Sequence, residues 1–430
     1  MAINTDVSLR NKVMYSVFVR NHGINGTFID VEQDLERIKS LGTDIIWFLP
    51  IHPIGLVNKK GKLGCPYAIK NYRNINPEYG TLEDFKRLVS KIHSLGMQCM
   101  IDVVYNHTSP DSWLVENHKE FFYKKPDGKM GNKVGDWTDV VDLDYNNMEL
   151  WDYQIETLKY WSTLGVDGFR CDVAPLVPLE FWLKARSEVA KINENTLWLA
   201  ESVHPSFLLT MRENGFVGLS DSEIYQAFDM CYDYDVNVEY LGYISGESSL
   251  KEYIDKVAFQ EAMYPNNYVK LRFLENHDQP RVKGIIPDEE CLKIWTSFSY
   301  FQKGCTLLYA GQEAQEVNTP SLFDTDKINW NGINEDFINL LKNLGELKKN
   351  EIMSKSFYEI HVDKDKDVIL ASYTLENKKL IGVFNVGKEQ GEISVNIVDG
   401  EYINLLDGTI ITIKMSKLTL QNKSIIFETL

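Results

Sequence analysis

Over the first 350 residues, short apolar runs alternate with longer amphipathic segments, and this repetition limits the fold more than any other feature. The runs are MYSVFV (14–19), DIIWFLP (44–50), MQCMIDVVY (97–105), VDGFRCDV (166–173), TLWLAES (196–202), VKLRFLEN (269–276) and CTLLYAG (305–311). An eighth run, sixth in chain order, is weaker and is placed near 216–220. The segment TLEDFKRLVSKIHSLG shows what lies between them. Thr81 and Asp84 form a capping box, Leu82, Phe85, Leu88, Val89 and Ile92 share one helical face, and Gly96 stops the helix. Repeated strand-then-helix order demands a parallel sheet, and continuous apolar strands suit a sheet covered on both faces. Eight such units fit a closed (β/α)8 TIM barrel better than an open sheet.

Two stretches break the rhythm. About forty residues separate the third run from the helix near 149. Loops of that length without structure are uncommon, so a small inserted subdomain is expected. After residue 350, KDVILASYTL, KKLIGVFNV, GEISVNIV, IITIKM and KSIIFETL read as short strands with polar turns. The expected division is a barrel over 1–107 and 146–350, an insert over 108–145, and a C-terminal antiparallel β-sandwich over 351–430.

The net charge of −17 excludes a nucleic-acid partner, which needs a basic footprint. No run approaches the length of a membrane span. The opening segment MAINTDVSLRNKVMYSVFVRN lacks the apolar stretch of a secretory signal, so a cytoplasmic location is expected. The six cysteines are scattered without CxxC spacing, which fits free thiols. Composition does not fix the oligomeric state.

Barrel enzymes carry their chemistry at the C-terminal ends of the strands. Polar residues gather at those ends: Asp102, Asn106 and His107 after the third run, Arg170 and Asp172 in the fourth, Glu201 after the fifth, and Asn276, His277 and Asp278 after the seventh. An ion buried in a strand such as VDGFRCDVA is costly unless it is paired or used. Two carboxylates flanking a glycosidic bond make a glycoside hydrolase, one attacking carbon and the other protonating the leaving oxygen. Arg170, two residues from Asp172 and on the same strand face, is expected to lower the pKa of Asp172. Glu201 follows LWLA, where partial desolvation favours the protonated form an acid catalyst needs. Asp278 is available to stabilise a developing positive charge or to bind sugar hydroxyls. His107 and His277 have no third ligand at metal spacing, so zinc is not expected. Trp137 is a candidate sugar platform, and His204 is open between a loop histidine, the favoured reading, and a leaving-group contact.

With these residues in view, the chain resembles the α-amylase family of retaining glycosidases and transglycosidases. The resemblance rests on DVVYNH (102–107), GFRCDVA (168–174), Glu201, ENHD (275–278) and PSLFDTDKINW (320–330). It implies that Asp172 is the nucleophile, Glu201 the general acid/base and Asp278 the transition-state stabiliser, with Arg170 supporting Asp172. It also implies that Tyr67, His107 and His277 contact the sugar on the non-reducing side of the cut. The implied substrate is a starch-type α-glucan or malto-oligosaccharide, cleaved through a covalent glycosyl-aspartate. Transfer to a sugar hydroxyl instead of water is the alternative within the family, and a non-catalytic binding or scaffold barrel is the alternative outside it. No cofactor is implied. Many members carry Lys-His after the nucleophile motif and a calcium ion nearby; here Ala174-Pro175 stands there, so a structural calcium is not expected although Asn106 resembles a ligand.

Overall fold

The computed structural model describes residues 4–429; residues 1–3 of the opening segment and residue 430 of the C-terminal range lie outside the described residues. Eight parallel strands close into a barrel: β1 (Val13–Val17), β2 (Ile45–Phe48), β3 (Gln98–Val103), β4 (Gly168–Cys171), β5 (Leu197–Ala200), β6 (Met230–Tyr232), β7 (Lys270–Arg272) and β8 (Cys305–Tyr309). Each strand pairs with its neighbours in sequence, and β8 returns to β1 through the register Val13–Thr306 to Ser16–Tyr309. Closure leaves no unpaired edge. All residues of β1, β2 and β4 are buried, the pattern of strands packed on both faces.

The helix Leu82–Ser94 forms as its pattern dictates. Thr81 and Asp84 make a reciprocal capping box, and Phe85, Leu88, Val89 and Ile92 are buried. Four such side chains contribute roughly 1.5–3 kcal/mol each. Gly96 takes φ +69° just past the end, where a side chain would be strained.

Seven strands fall on the apolar runs of the sequence; the sixth does not. Residues 216–220 are loop, and β6 is Met230–Tyr232. Gly215, at φ +75°, follows the helix Pro205–Glu213, and the Phe216 amide reaches back to the Met211 carbonyl at 3.0 Å. Phe216 is apolar because it packs against Tyr123 of the insert, not because it enters a sheet. The true strand is hidden by two flanking acids. Asp229 pairs with Arg186 at 2.6 Å and Asp233 with Arg272 at 2.8 Å, so their charge is neutralised where sequence alone shows only polarity.

After β3 the chain makes a two-residue antiparallel ladder, His107–Thr108 with Val141–Asp142, that anchors the insert beside the barrel mouth. Between them lie the short helix Trp113–Asn117 and a turn in which the Gly128 amide donates to the Lys125 carbonyl at 2.8 Å. The C-terminal region is two four-stranded antiparallel sheets. They share a core that includes Val383, Ile393, Ile413 and Phe427. This unit docks on the barrel through Phe384, which packs on Phe298 and Phe301 at 5.3 and 5.4 Å between ring centres.

Candidate active site

Adjacent strands in register bring the charges together. Asp102 of β3 lies opposite Arg170 of β4, and Arg170 lies opposite Leu199 of β5. Hydrogen bonding continues one step past both strands: the Asp172 amide donates to Val103 O and the Glu201 amide to Cys171 O, each at 3.0 Å. The barrel therefore fixes the backbone of both acids.

Arg170 is the hub. Its Nη1 donates to both oxygens of Asp102 at 2.9 Å and to Asp172 Oδ1 at 3.0 Å, and its Nη2 lies 2.9 Å from Glu201 Oε2. The guanidinium sits 5.3–5.5 Å from the ring centres of Trp47, Tyr67 and Tyr232. Three aromatic faces and three carboxylates compensate a cation that has no solvent exposure. Glu201 Oε2 also accepts the Val173 amide at 2.7 Å. Val173 holds φ +36°, a left-handed conformation that is costly for a β-branched residue and is held here beside the two acids.

Asp172, Glu201, Asp278, Tyr67 and His107 all face one cavity of about 450 Å3. His107 Nε2 lies 3.9 Å from Asp172 Oδ2. Asp278 is tied to His277 Nε2 at 3.1 Å, and that nitrogen also meets the Tyr67 hydroxyl at 2.7 Å. One residue expected at the sugar, His277, lies behind the wall, as does Arg170. Arg170 and His277 are buried and do not line the cavity; both hold acids that do. Asp102, fully buried, braces Arg170.

Burial raises Asp172 to about 7, against the pull of Arg170 and with a push from Asp102 and Asp278. Arg170 does pull Asp172 down, as the sequence suggests, but burial and the neighbouring acids outweigh that pull. Burial raises Glu201 further, to about 8, again opposed by Arg170 and aided by Asp172 and Asp278. Burial also works on Asp278, but His277 and Arg170 keep it below the usual carboxylate range. Burial lowers His107, favouring the neutral ring. Asp172 and Glu201 thus titrate as a coupled pair raised above the ordinary carboxylate range.

This arrangement has a cost in stability. A carboxyl raised in the folded state stabilises fully below its unfolded value of about 4.3, and that stabilisation is lost as pH climbs through the folded value near 8. Glu201→Gln, whose amide oxygen can still accept the Val173 amide, removes this loss. Between pH 6 and 9 the melting temperature of the wild type falls, and that of the variant falls less. The difference is on the order of a few kcal/mol. Parallel melting curves against pH in calorimetry would refute it.

Tyr232 and Tyr234 escaped the sequence reading. His204, in the loop before the helix Pro205–Glu213, lines the cavity and stacks on Tyr234 at 4.6 Å. Tyr232 accepts a hydrogen bond from Arg170 Nε at 3.2 Å. Both tyrosines belong to CYDYDV, a signal that a correct placement of β6 would have exposed. Trp137 lines the cavity and packs on Phe207 at 6.2 Å. Asn106 uses its amide on His107 Nδ1 at 3.2 Å. Among the described residues no three His, Cys, Asp or Glu side chains gather so as to hold a metal ion.

Comparison with known proteins accounts for this constellation. The α-amylase catalytic-domain model matches residues 15–138 and 133–367, and the bacterial α-amylase C-terminal-domain model matches 359–427. The chain belongs to the α-amylase family. A solved α-amylase from Lactobacillus plantarum is 46% identical, with 99% of this chain and 100% of that one aligned at a TM-score of 0.96. A maltogenic α-amylase from Thermotoga neapolitana is 35% identical over 98% of this chain and 99% of its own, at 0.88. A maltosyltransferase from Picrophilus torridus is 29% identical over 52% of this chain, which spans 39% of that protein. This α-amylase-family chain covers well under half the length of such transferases. Among its described residues no helix is long and apolar enough to cross a membrane.

Proposed function

We propose that this chain is a retaining α-glucoside hydrolase acting on malto-oligosaccharides and starch-type glucans. The observation that carries the reading is the single guanidinium of Arg170, which touches Asp172 and Glu201 at 3.0 and 2.9 Å while both acids face one cavity. In the first step Asp172 attacks the anomeric carbon and Glu201 gives its proton to the departing oxygen, so the glycosidic bond breaks as a glycosyl-aspartate ester forms. In the second step Glu201, now ionised, takes a proton from water, whose oxygen attacks the same carbon and releases Asp172. Asp278 faces the positive charge that develops on the ring in both steps. Burial holds Glu201 well above the usual carboxylate range, which favours the protonated form that the first step needs. Arg170 and His277 act through the acids they hold. A scaffold barrel would have no use for three buried acids converging on a cavity.

The test is the stereochemistry of maltoheptaose cleavage. Proton NMR within the first minutes should show the new reducing end as the α-anomer, followed by mutarotation. A β-anomer would mean inversion, and no cleavage of any α-glucan would end the reading. Products longer than maltoheptaose would instead mark transfer to sugar hydroxyls.

A further inference from the structure

The catalytic cavity has two unlike ends. Glu201 marks the leaving-group end, because the acid stands beside the oxygen it protonates. The chain that follows it, through His204 and Phe207, lines that end. There the cavity runs on into a second space of about 820 Å3, which shares His204, Phe207 and Gln279 and extends past Asn237 and Leu241 of the helix Tyr234–Ser245. The opposite end, beyond Tyr67 and His107, holds the sugar that Asp172 attacks. It is lined by Lys60, Asp139 and Phe323, which come from three separate loops.

Those loops are fastened to each other. The loop after β2 bonds to the insert through Lys60 Nζ and Asp136 O at 3.2 Å and through Asn58 Nδ2 and Thr138 O at 3.4 Å. The same loop bonds to the segment after β8 through the Leu63 amide and Phe323 O at 3.0 Å and the Lys62 amide and Asp324 Oδ1 at 2.9 Å. Gly61 sits at φ +63° against Phe323, where a Cβ would come within 2.6 Å of the Phe323 Cβ. The closure is thus close-packed backbone. Across it, Lys60 Nζ meets Asp139 Oδ1 at 3.1 Å, with Asp139 buried and Lys60 about one-third exposed. Both residues of the pair line the catalytic cavity.

We infer that the enzyme attacks glucan chains from their non-reducing ends, and that the Lys60–Asp139 pair binds the hydroxyls of the terminal glucosyl unit while the open second space takes the rest of the chain. This rests on the hydrolytic reading above. A charge pair offers both donors and acceptors to neutral hydroxyls, which an uninterrupted polymer does not present at that position.

The experiment compares 4-nitrophenyl α-maltoheptaoside with the same compound blocked at its non-reducing end by a 4,6-O-ethylidene group, with labelled fragments resolved by chromatography. The free compound should be shortened from its non-reducing end. The blocked one should react about 100-fold more slowly or worse. Rates within about threefold of each other would overturn the inference and leave the hydrolytic function standing. If neither is cleaved, the hydrolytic reading fails and the inference with it. Lys60→Ala, at a partly exposed position, should raise KM for maltoheptaose about tenfold with kcat nearly unchanged, the loss of one charged hydrogen bond. Asp139→Asn should shift KM the same way, and an unchanged KM in both variants would remove the pair from terminal-sugar binding.

Discussion

Asp172→Asn lowers kcat on maltoheptaose by about 10^5-fold or more without unfolding the protein, the scale of loss when a covalent nucleophile is removed. The amide is nearly isosteric, and its oxygen can keep the 3.0 Å hydrogen bond from Arg170. What disappears is the lone-pair charge that forms the ester. Folding should not suffer. Burial raises Asp172 to about 7, so its ionised form costs stability, and that cost grows as pH rises from about 4 through 7. At pH 8 the variant should melt no lower than the wild type. Maltoheptaose should still bind in calorimetry, because the cavity walls are unchanged. A 5-fluoro-α-glucosyl fluoride trap, losing its anomeric fluoride, should add the mass of a 5-fluoroglucosyl group to the wild-type peptide holding Asp172 and leave the variant unlabelled. A drop in kcat below about 100-fold, or labelling elsewhere, would assign the nucleophile's work to another residue.

The barrel was legible because its strands are apolar on both faces and end in charges. IIWF, GFRC and LWLA carry no alternation, and only a doubly covered sheet tolerates that. The sixth strand failed for the opposite reason. MCY is three residues long and lies between Asp229 and Asp233, whose partners Arg186 and Arg272 are distant in sequence. Pairing over such separations is tertiary information, and a local apolar count chooses GFVGLS instead.

The same logic divides the site. Strand ends announce Asp102, Arg170, Asp172 and Glu201, because a charge in a buried strand must have a use. Which of them meets the cavity is a matter of depth. Arg170 and His277 sit one layer behind the surface that Asp172 and Asp278 present, and no spacing in the chain encodes that. Nor does it reveal how one cation is shared. Arg170 looked like the private partner of Asp172, yet Asp102 claims two of its hydrogen bonds and Glu201 its second nitrogen; its pull on Asp172 persists, but burial outweighs it and Asp172 rises. Lys60 was invisible for another reason. It lies in VNKKGKLG, an exposed polar loop in which nothing separates one lysine from the next until the insert folds over it.

Glu201→Ala should separate substrates by how much they need a proton. Maltoheptaose leaves as an alkoxide unless Glu201 protonates it, so its turnover should fall by about 10^2–10^4-fold. An α-glucosyl fluoride expels fluoride without a proton, and its attack by Asp172 should be much less affected. The ester then persists, because no base remains to activate water. Azide needs no deprotonation, so it should restore turnover of the fluoride in proportion to its concentration. Its product should be the α-glucosyl azide, since it approaches the face that the first departing group left. The pH profile supplies an independent check. In the wild type, activity should fall at alkaline pH as Glu201, held to about 8 by burial, loses its proton. In the variant with the fluoride donor that limb should vanish, while the acid limb set by Asp172 near 7 remains. Equal losses on both donors with no response to azide would leave Glu201 as a mere ligand of Arg170 and the Val173 amide. A selective loss repaired by azide requires that it carry the proton, because an ion-pair partner affects both donors alike.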